Sequence, residues 1–247
     1  MKYYEEMINK KCFTLNDVAI MVGGNINTAK SLLKDYTKKG FVKSVRRNLY
    51  VAISMETNSP VATPYHIASN ITDTSYVSNH AAFAYYGYTN QVFHDLSVAS
   101  ETEFKPFEFE MITYTYIFSK INIGIVNENG IKVTDRERTL IDSISDFDKF
   151  GGLEELLRCI EMITFLSEDK LIQYLELYNR PVLYQKTGYI LEHFMDSMKI
   201  NLDFINLCQQ NKGDSIRYFT KTIPRNQLRF NPKWGLMVPD DLMYALS

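Results

Sequence analysis

Near the start of the chain, the spacing of apolar residues predicts two short helices joined by a glycine turn. Thr14 can cap the first helix, whose apolar face consists of Leu15, Val18, Ala19 and Val22. Gly23 and Gly24 end this helix, because glycine tolerates the backbone of a tight turn. The second helix is predicted over residues 27–39, and its buried side is expected to hold Ala29, Leu32, Leu33 and Tyr36.

A short β-hairpin is predicted directly after the second helix. Its strands cover residues 41–45 and 49–52, and its turn consists of Arg46, Arg47 and Asn48. A helix, a glycine turn, a second helix and a basic hairpin within about fifty residues follow the order of a winged helix-turn-helix.

After residue 53 the pattern becomes mixed. Residues 54–63 contain Asn58, Ser59 and Pro60 and are expected to form a linker. Short helices are predicted at 65–70 and 79–86, and strands at 95–99, 107–118, 123–126 and 131–133. Further helices are predicted from 135 and at 152–164, 167–178 and 184–198, followed by an irregular, partly extended tail at 216–239. The predicted fold class is α+β, with an N-terminal winged helix-turn-helix at 1–53 and a larger mixed α/β domain with a helical C-terminal region at 64–247.

The charge is divided unevenly along the chain. The 27 basic and 29 acidic residues of the whole sequence give a formal net charge of −2. Residues 1–53 hold ten basic and four acidic residues, a charge of +6, so the remainder carries −8. A basic segment joined to an acidic one is typical of a nucleic-acid contact at one end, although the same charge also fits the solvated face of a small helical domain.

The exposed side of the second helix carries residue types that suit DNA recognition. Short polar side chains near a helix N-terminus can reach base edges, and lysines can meet phosphates. Arginines at a hairpin tip can lie on the backbone or in the minor groove. The predicted contacts to double-stranded DNA are Asn27, Thr28, Lys30, Ser31, Lys34, Arg46, Arg47 and Asn48. The alternative is a winged helix used only for protein contacts.

Several classes of protein and site are not favoured by the sequence. It lacks an apolar run of roughly 18 residues for a membrane span and an apolar segment for secretion. Three distant cysteines, Cys12, Cys159 and Cys208, indicate reduced thiols and a cytoplasmic location. No phosphate-binding loop, serine nucleophile elbow or zinc-protease motif occurs, and the histidines have no ligand spacing. We therefore expect no enzyme activity, no metal and no cofactor.

Two clusters of charged residues allow a catalytic reading. Asp95, Glu103 and Lys105 have the residue types of a Mg²⁺-dependent nuclease, although so short a pattern arises readily by chance. Glu137, Arg138 and Asp142 invite general acid–base catalysis. On a helix, however, Arg138 and Asp142 would form a local ion pair and Glu137 would lie near the positive N-terminus, so a structural helix start is favoured.

Three stretches together resemble the AbiEi family, the antitoxins of type IV toxin–antitoxin systems. The first is the hairpin, from Lys38-Lys39-Gly40 to Arg46-Arg47-Asn48-Leu49-Tyr50, with Asn48 where the family has glycine. The second includes Tyr76-Val77-Ser78 and Ala81-Ala82-Phe83-Ala84-Tyr85-Tyr86-Gly87. The third runs from Ile131 to Asp142 and contains Arg136-Glu137-Arg138-Thr139-Leu140-Ile141-Asp142.

The resemblance implies two functions, neither of them enzymatic. The N-terminal domain would bind operator DNA and repress its own operon. Because one winged helix usually reads one half-site, two copies on an inverted repeat are expected. The C-terminal domain would counteract a cognate nucleotidyltransferase-like toxin, as part of phage defence. The alternative is a winged-helix regulator whose C-terminal domain senses a ligand or another protein, without a toxin partner.

Overall fold

The computed structural model describes residues 2–91, 93–239 and 242, in which helices and β-sheets are both abundant, so the α+β class is confirmed. The chain divides into two compact units. Unit 1 consists of Met1–Val77 and Phe93–Val133, and unit 2 consists of Ser78–Val92 and Thr134–Ser247. The chain therefore leaves unit 1 after residue 77 and returns to it before entering unit 2 for good.

The N-terminal part of unit 1 combines three helices with a small antiparallel sheet. The helices are α1 (Tyr4–Lys10), α2 (Leu15–Met21) and α3 (Ile26–Lys38). The strands β1 (Cys12–Phe13), β2 (Val42–Arg46) and β3 (Leu49–Ala52) are arranged in the order β1-β3-β2. Thr14 and Asp17 form a reciprocal capping box at the start of α2. The two helices and the hairpin predicted here are confirmed as secondary-structure elements.

Residues 54–63 form a hydrogen-bonded turn that folds back on the hairpin. The N–H of Ser54 donates to the carbonyl of Ser59, and the N–H of Val61 donates to the carbonyl of Ala52, both at 2.9 Å. The predicted domain boundary at residue 53 consequently falls inside unit 1, because backbone hydrogen bonds tie the predicted linker to strand β3.

A six-stranded mixed sheet fills the rest of unit 1, in the order β6-β7-β5-β4-β9-β8. Its strands are β4 (Tyr76–Val77), β5 (Asp95–Ser100), β6 (Phe107–Phe109), β7 (Ile112–Phe118), β8 (Ile125–Glu128) and β9 (Ile131–Thr134), and helix α4 (Pro64–Ala68) precedes them. The single strand predicted over 107–118 is wrong. Glu110 and Met111 take positive φ angles of 49° and 61°, which turns the chain and pairs β6 with β7.

Unit 2 is mainly helical. Its helices are α5 (Asn79–Tyr85), α6 (Arg136–Asp146), α7 (Gly152–Glu161), α8 (Glu168–Tyr178), α9 (Pro181–His193), α10 (Met195–Met198) and α11 (Leu202–Gln210). The predicted single helix at 184–198 is wrong, because the chain breaks between α9 and α10, and α11 was not predicted. Ser78 and Ser167 stand at the N-cap positions of α5 and α8, but within the described structure neither side chain makes a capping hydrogen bond.

The tail of unit 2 forms a small sheet that closes its core. Strands β10 (Arg217–Tyr218), β11 (Leu228–Asn231) and β12 (Leu236–Pro239) are arranged in the order β10-β12-β11. Trp234, on the turn before β12, is fully buried among the residues of the helices. The tail predicted as irregular and partly extended thus contains three short strands, and Trp234, Leu236 and Val238 pack in the core of the unit.

The structure bears on the predicted state of the cysteines and on the expectation that the chain has no membrane span. The three cysteines are free and buried, and burial raises the pKa of both Cys12 and Cys208 to about 12. In the part of the chain that the structure describes, no helix has the length and apolarity that a bilayer crossing demands.

Candidate nucleic-acid interface

Helix α3 is fixed in unit 1 by its cap and by one buried face. The side-chain oxygen of Asn25 accepts hydrogen bonds from the N–H groups of Asn27 and Thr28 at 2.9 and 3.1 Å, so the first turn is well ordered. Ala29, Leu33 and Tyr36 are buried in the N-terminal core. Because this side of α3 is buried, the opposite side of the helix faces outward.

That outward face carries the residues of α3 that the sequence predicts to contact DNA. Five side chains are exposed on it: Asn27, Thr28, Lys30, Ser31 and Lys34. Within the described chain, neither Lys30 nor Lys34 has an ion-pair partner, so both ammonium groups are available to a polyanion. Lys38 is also exposed and lies four residues beyond Lys34, on the same stripe. Lys38 was not among the predicted DNA contacts, although its spacing of four residues from Lys34 places it on the same side of the helix.

The hairpin turn presents Arg47 and uses Asn48 for structure. Arg47 is exposed. Asn48 takes a φ of 63°, a left-handed conformation that asparagine tolerates and that explains how it can stand in place of glycine. Its side-chain oxygen accepts a hydrogen bond from the N–H of Leu15 at 3.1 Å, which ties the turn to the start of α2. Asn48 therefore positions the turn, and Arg47 extends from it.

Arg46 faces the aromatic residues of the same unit. Its guanidinium lies 5.6 Å from the ring centroid of Phe104 and 5.2 Å from that of Phe107, within cation–π range. One of its terminal nitrogens is buried without a hydrogen-bond partner among the described residues. Lys43, on the same strand, forms an ion pair with Glu110. The structure therefore assigns Arg46 to packing, and a DNA contact would require it to leave both rings.

Replacing each turn arginine with alanine should separate these roles. Arg46→Ala is expected to lower the free energy of unfolding by about 1 kcal/mol, because two cation–π contacts and the packing of the side-chain stem are lost. Arg47→Ala, the matched control, is expected to stay within about 0.5 kcal/mol of the original chain because its side chain is exposed. Urea unfolding followed by circular dichroism measures both. Equal losses in the two variants would contradict the packing role of Arg46.

The helix start at Asp135 is a buried hydrogen-bonded network in unit 2. Asp135 caps α6 by accepting from the N–H of Arg138 at 2.9 Å, and its other oxygen accepts from the hydroxyl of Tyr174 at 2.7 Å. The predicted ion pair between Arg138 and Asp142 is present at 3.4 Å, and burial raises the pKa of Asp142. Since these groups are buried and bound to one another, the network fits the structural reading better than acid–base catalysis.

A second buried cluster joins residues far apart in sequence. The donor atoms of His80, Glu155 and Cys159 lie within 4.8 Å of one another. One oxygen of Glu155 lies 2.8 Å from Nε2 of His80 and accepts from the thiol of Cys159 at 3.6 Å. Zinc accepts these donor types, but burial and Glu155 raise the pKa of Cys159, which disfavours the thiolate that a metal needs. The absence of a metal stays a prediction.

The nuclease pattern is spread over strand β5 and the loop that follows it. Asp95 begins β5, whereas Glu103 and Lys105 come after its end at Ser100. Glu101 and Thr102 are held at that end, because their N–H groups both bond the hydroxyl of Thr74. Among the described residues, neither Asp95 nor Glu103 belongs to a group of three His, Cys, Asp or Glu residues whose possible ligand atoms lie close together.

Comparison with known proteins shows a likeness of fold. No family model matches the chain, and no curated protein matches it. The crystal structure of the RV2827C protein from Mycobacterium tuberculosis is similar, with a TM-score of 0.67 and 11% sequence identity over 99% of this chain and 92% of that chain. At this identity the match shows that the two chains share a fold, and it says nothing of function.

Proposed function

We propose that this chain is a DNA-binding antitoxin that represses its own operon, with residues 2–53 acting as a winged helix-turn-helix. The observation that carries the DNA-binding half is the outward face of α3. It combines short polar side chains at the first turn with unpaired lysines further along, and Arg47 is exposed on the neighbouring hairpin. A cytoplasmic location belongs to the same proposal.

The order of groups along α3 suits a helix that enters the major groove by its N-terminal end. Asn27, Thr28 and Ser31 are short and carry donors and acceptors for base edges. Lys30 and Lys34 are long enough to meet the phosphates on either side of the groove. The direct test is binding of the purified full-length chain to the duplex upstream of its own gene. If the chain bound a scrambled duplex of the same length as tightly as the upstream duplex, the operator proposal would be rejected.

The antitoxin half rests on the three stretches that resemble the AbiEi family. Two of them contact each other in unit 2. The hydroxyl of Tyr86 donates to the carbonyl of Thr134 at 2.9 Å, and the guanidinium of Arg136 lies 5.7 Å from the ring centroid of Tyr86. The partner supported by the resemblance is a nucleotidyltransferase-like toxin encoded next to this chain. A neighbouring gene of another kind would favour the regulator that senses a ligand or a protein.

A growth assay tests the antitoxin half without relying on DNA binding. Full-length chain is expected to restore growth to cells that express the neighbouring toxin. A full-length variant with Lys30→Ala and Lys34→Ala should rescue equally well when both genes are driven by unrelated promoters, because neutralisation is assigned to the C-terminal domain. The measurement is colony survival. Failure of a stably expressed full-length chain to rescue would remove the toxin partner from the proposal.

A further inference from the structure

Unit 2 contains a groove of about 990 Å³ that is strongly basic. It lies at the start of α9 and is closed by the segment that leads into and out of β10. Among the described residues, its lining contains no aspartate or glutamate and five cationic side chains: Arg180, Lys186, Arg217, Lys221 and Arg225. This concentration of positive charge is unexpected in the part of the chain whose formal charge is negative.

Lys186 is the most enclosed of these cations. Its ammonium lies 5.1 Å from the ring centroid of Phe147 and 5.9 Å from that of Phe219, and it has no hydrogen-bond or ion-pair partner in the described part of the chain. Burial lowers its pKa, opposed by the charges of Asp148 and Asp146. Asp148 directs its own oxygens to the hydroxyl of Thr220 and the N–H of Lys221. An enclosed ammonium without an acceptor favours an anionic ligand.

The surrounding groups leave the groove open to such a ligand. The guanidinium of Arg180 lies 5.4 Å from the ring centroid of Tyr178 and, among the described residues, donates only to a neutral partner, the hydroxyl of Ser145, at 2.6 Å. Arg217 is exposed on β10, and Arg225 lies 4.9 Å from the ring centroid of Tyr218. Helix α9 also begins here, and its positive end adds to the attraction for an anion.

Apolar surface accompanies the charge. Tyr218 is 42% exposed and Ile216 is 58% exposed, and both line the groove. A ligand that matched this lining would carry several negative charges at one part and a flat apolar body at another. A free phosphate would leave most of the volume empty, whereas pockets for small organic ligands commonly measure about 300–1,000 Å³.

We propose that this groove binds a nucleoside triphosphate, with its phosphates among the five cations and its base against Tyr218 and Ile216. The proposal does not depend on DNA binding by α3, because the groove is formed by unit 2 alone. It gives unit 2 a ligand-sensing capacity, which either an antitoxin or a simple regulator can use.

Isothermal titration calorimetry of the full-length chain with ATP, GTP, CTP and UTP tests the proposal. We expect at least one to bind, and the corresponding nucleoside without phosphates to bind at least 100-fold more weakly. A variant with Lys186→Gln, Arg217→Ala and Arg225→Ala should lose at least 100-fold in affinity. Because Lys186 is partly buried, the double variant of Arg217 and Arg225 is measured beside it and should lose at least 10-fold.

The control removes the same number of charges elsewhere on the surface, by Lys105→Ala, Lys120→Ala and Lys199→Asn, and should bind as the original chain does. Absence of heat with all four nucleotides would overturn the proposal, and so would equal weakening in the control. Binding of a single-stranded oligoribonucleotide or a duplex that requires the groove cations, without binding of free nucleotides, would assign the groove to a nucleic acid and also overturn it.

Discussion

Replacing Lys30, Lys34 and Arg47 with alanine in one chain is expected to weaken binding to the upstream duplex roughly 100-fold near physiological salt. Each cation that meets a phosphate releases a counterion, and the slope of log affinity against log salt changes by about 0.9 per contact. Loss of three contacts should therefore flatten the slope by about 3. Fluorescence anisotropy at several salt concentrations measures the affinity and the slope together.

The matched control for this variant removes three exposed lysines that belong neither to α3 nor to the hairpin, by Lys120→Ala, Lys149→Ala and Lys199→Asn. It has the same net charge as the test variant, so the two variants differ in where the positive charge is removed and not in how much is removed. If the control lost as much affinity and slope as the test variant, the outward face of α3 would not be the DNA interface.

Gly188→Ala is expected to destabilise unit 2 by about 3 kcal/mol. A Cβ atom at this position would lie 2.1 Å from Cη2 and 2.2 Å from Cζ3 of Trp234. The indole cannot move away easily, because Trp234 is fully buried and its ring N–H donates to Glu192 at 2.8 Å. The clash should outweigh the gain of about 1 kcal/mol that alanine gives a helix over glycine. Trp234 is the sole tryptophan, so its fluorescence during urea unfolding reports the loss.

A double-mutant cycle shows whether the indole is the cause. Trp234→Phe shortens the side chain and removes the ring atoms that a Cβ at position 188 would meet. The double variant should therefore lose less stability than the two single variants added together, by about 2 kcal/mol. Circular dichroism follows all four chains, since two of them lack tryptophan. Strict additivity would show that the destabilisation comes from another contact.

The elements that can be predicted from the sequence are those determined by residues that are neighbours along the chain. The capping box of Thr14 and Asp17, the glycine turn after α2 and the basic turn of the hairpin lie within a few neighbouring residues, and the structure forms each of them. The break between α9 and α10 had no comparable signal. Phe194 and Met195 are ordinary helix residues, and it is the core around them that sets where the chain turns.

The candidate DNA site was predicted more fully than the groove. Its α3 residues share one helix, so their spacing shows which of them face outward together. The two adjacent arginines of the turn looked equivalent in sequence. The structure distinguishes them, because Phe104 and Phe107 come from a distant part of the sequence of unit 1 and lie beside Arg46, whereas Arg47 is exposed. The cations of the groove come from helix α9 and from the segment around β10, so no local pattern joined them.

The sequence by itself determined the two helices of the first fifty residues, the hairpin that follows them and the buried faces of the helices, because helix periodicity, caps and turn residues act between neighbours along the chain. The tertiary structure alone decided which charges remain free. Arg46 is engaged and Arg47 is exposed, and the charge of −8 after residue 53 conceals a groove lined by cations. The physical reason is that burial and ion pairing depend on contacts between residues far apart in sequence. The net charge of a segment does not reveal those contacts.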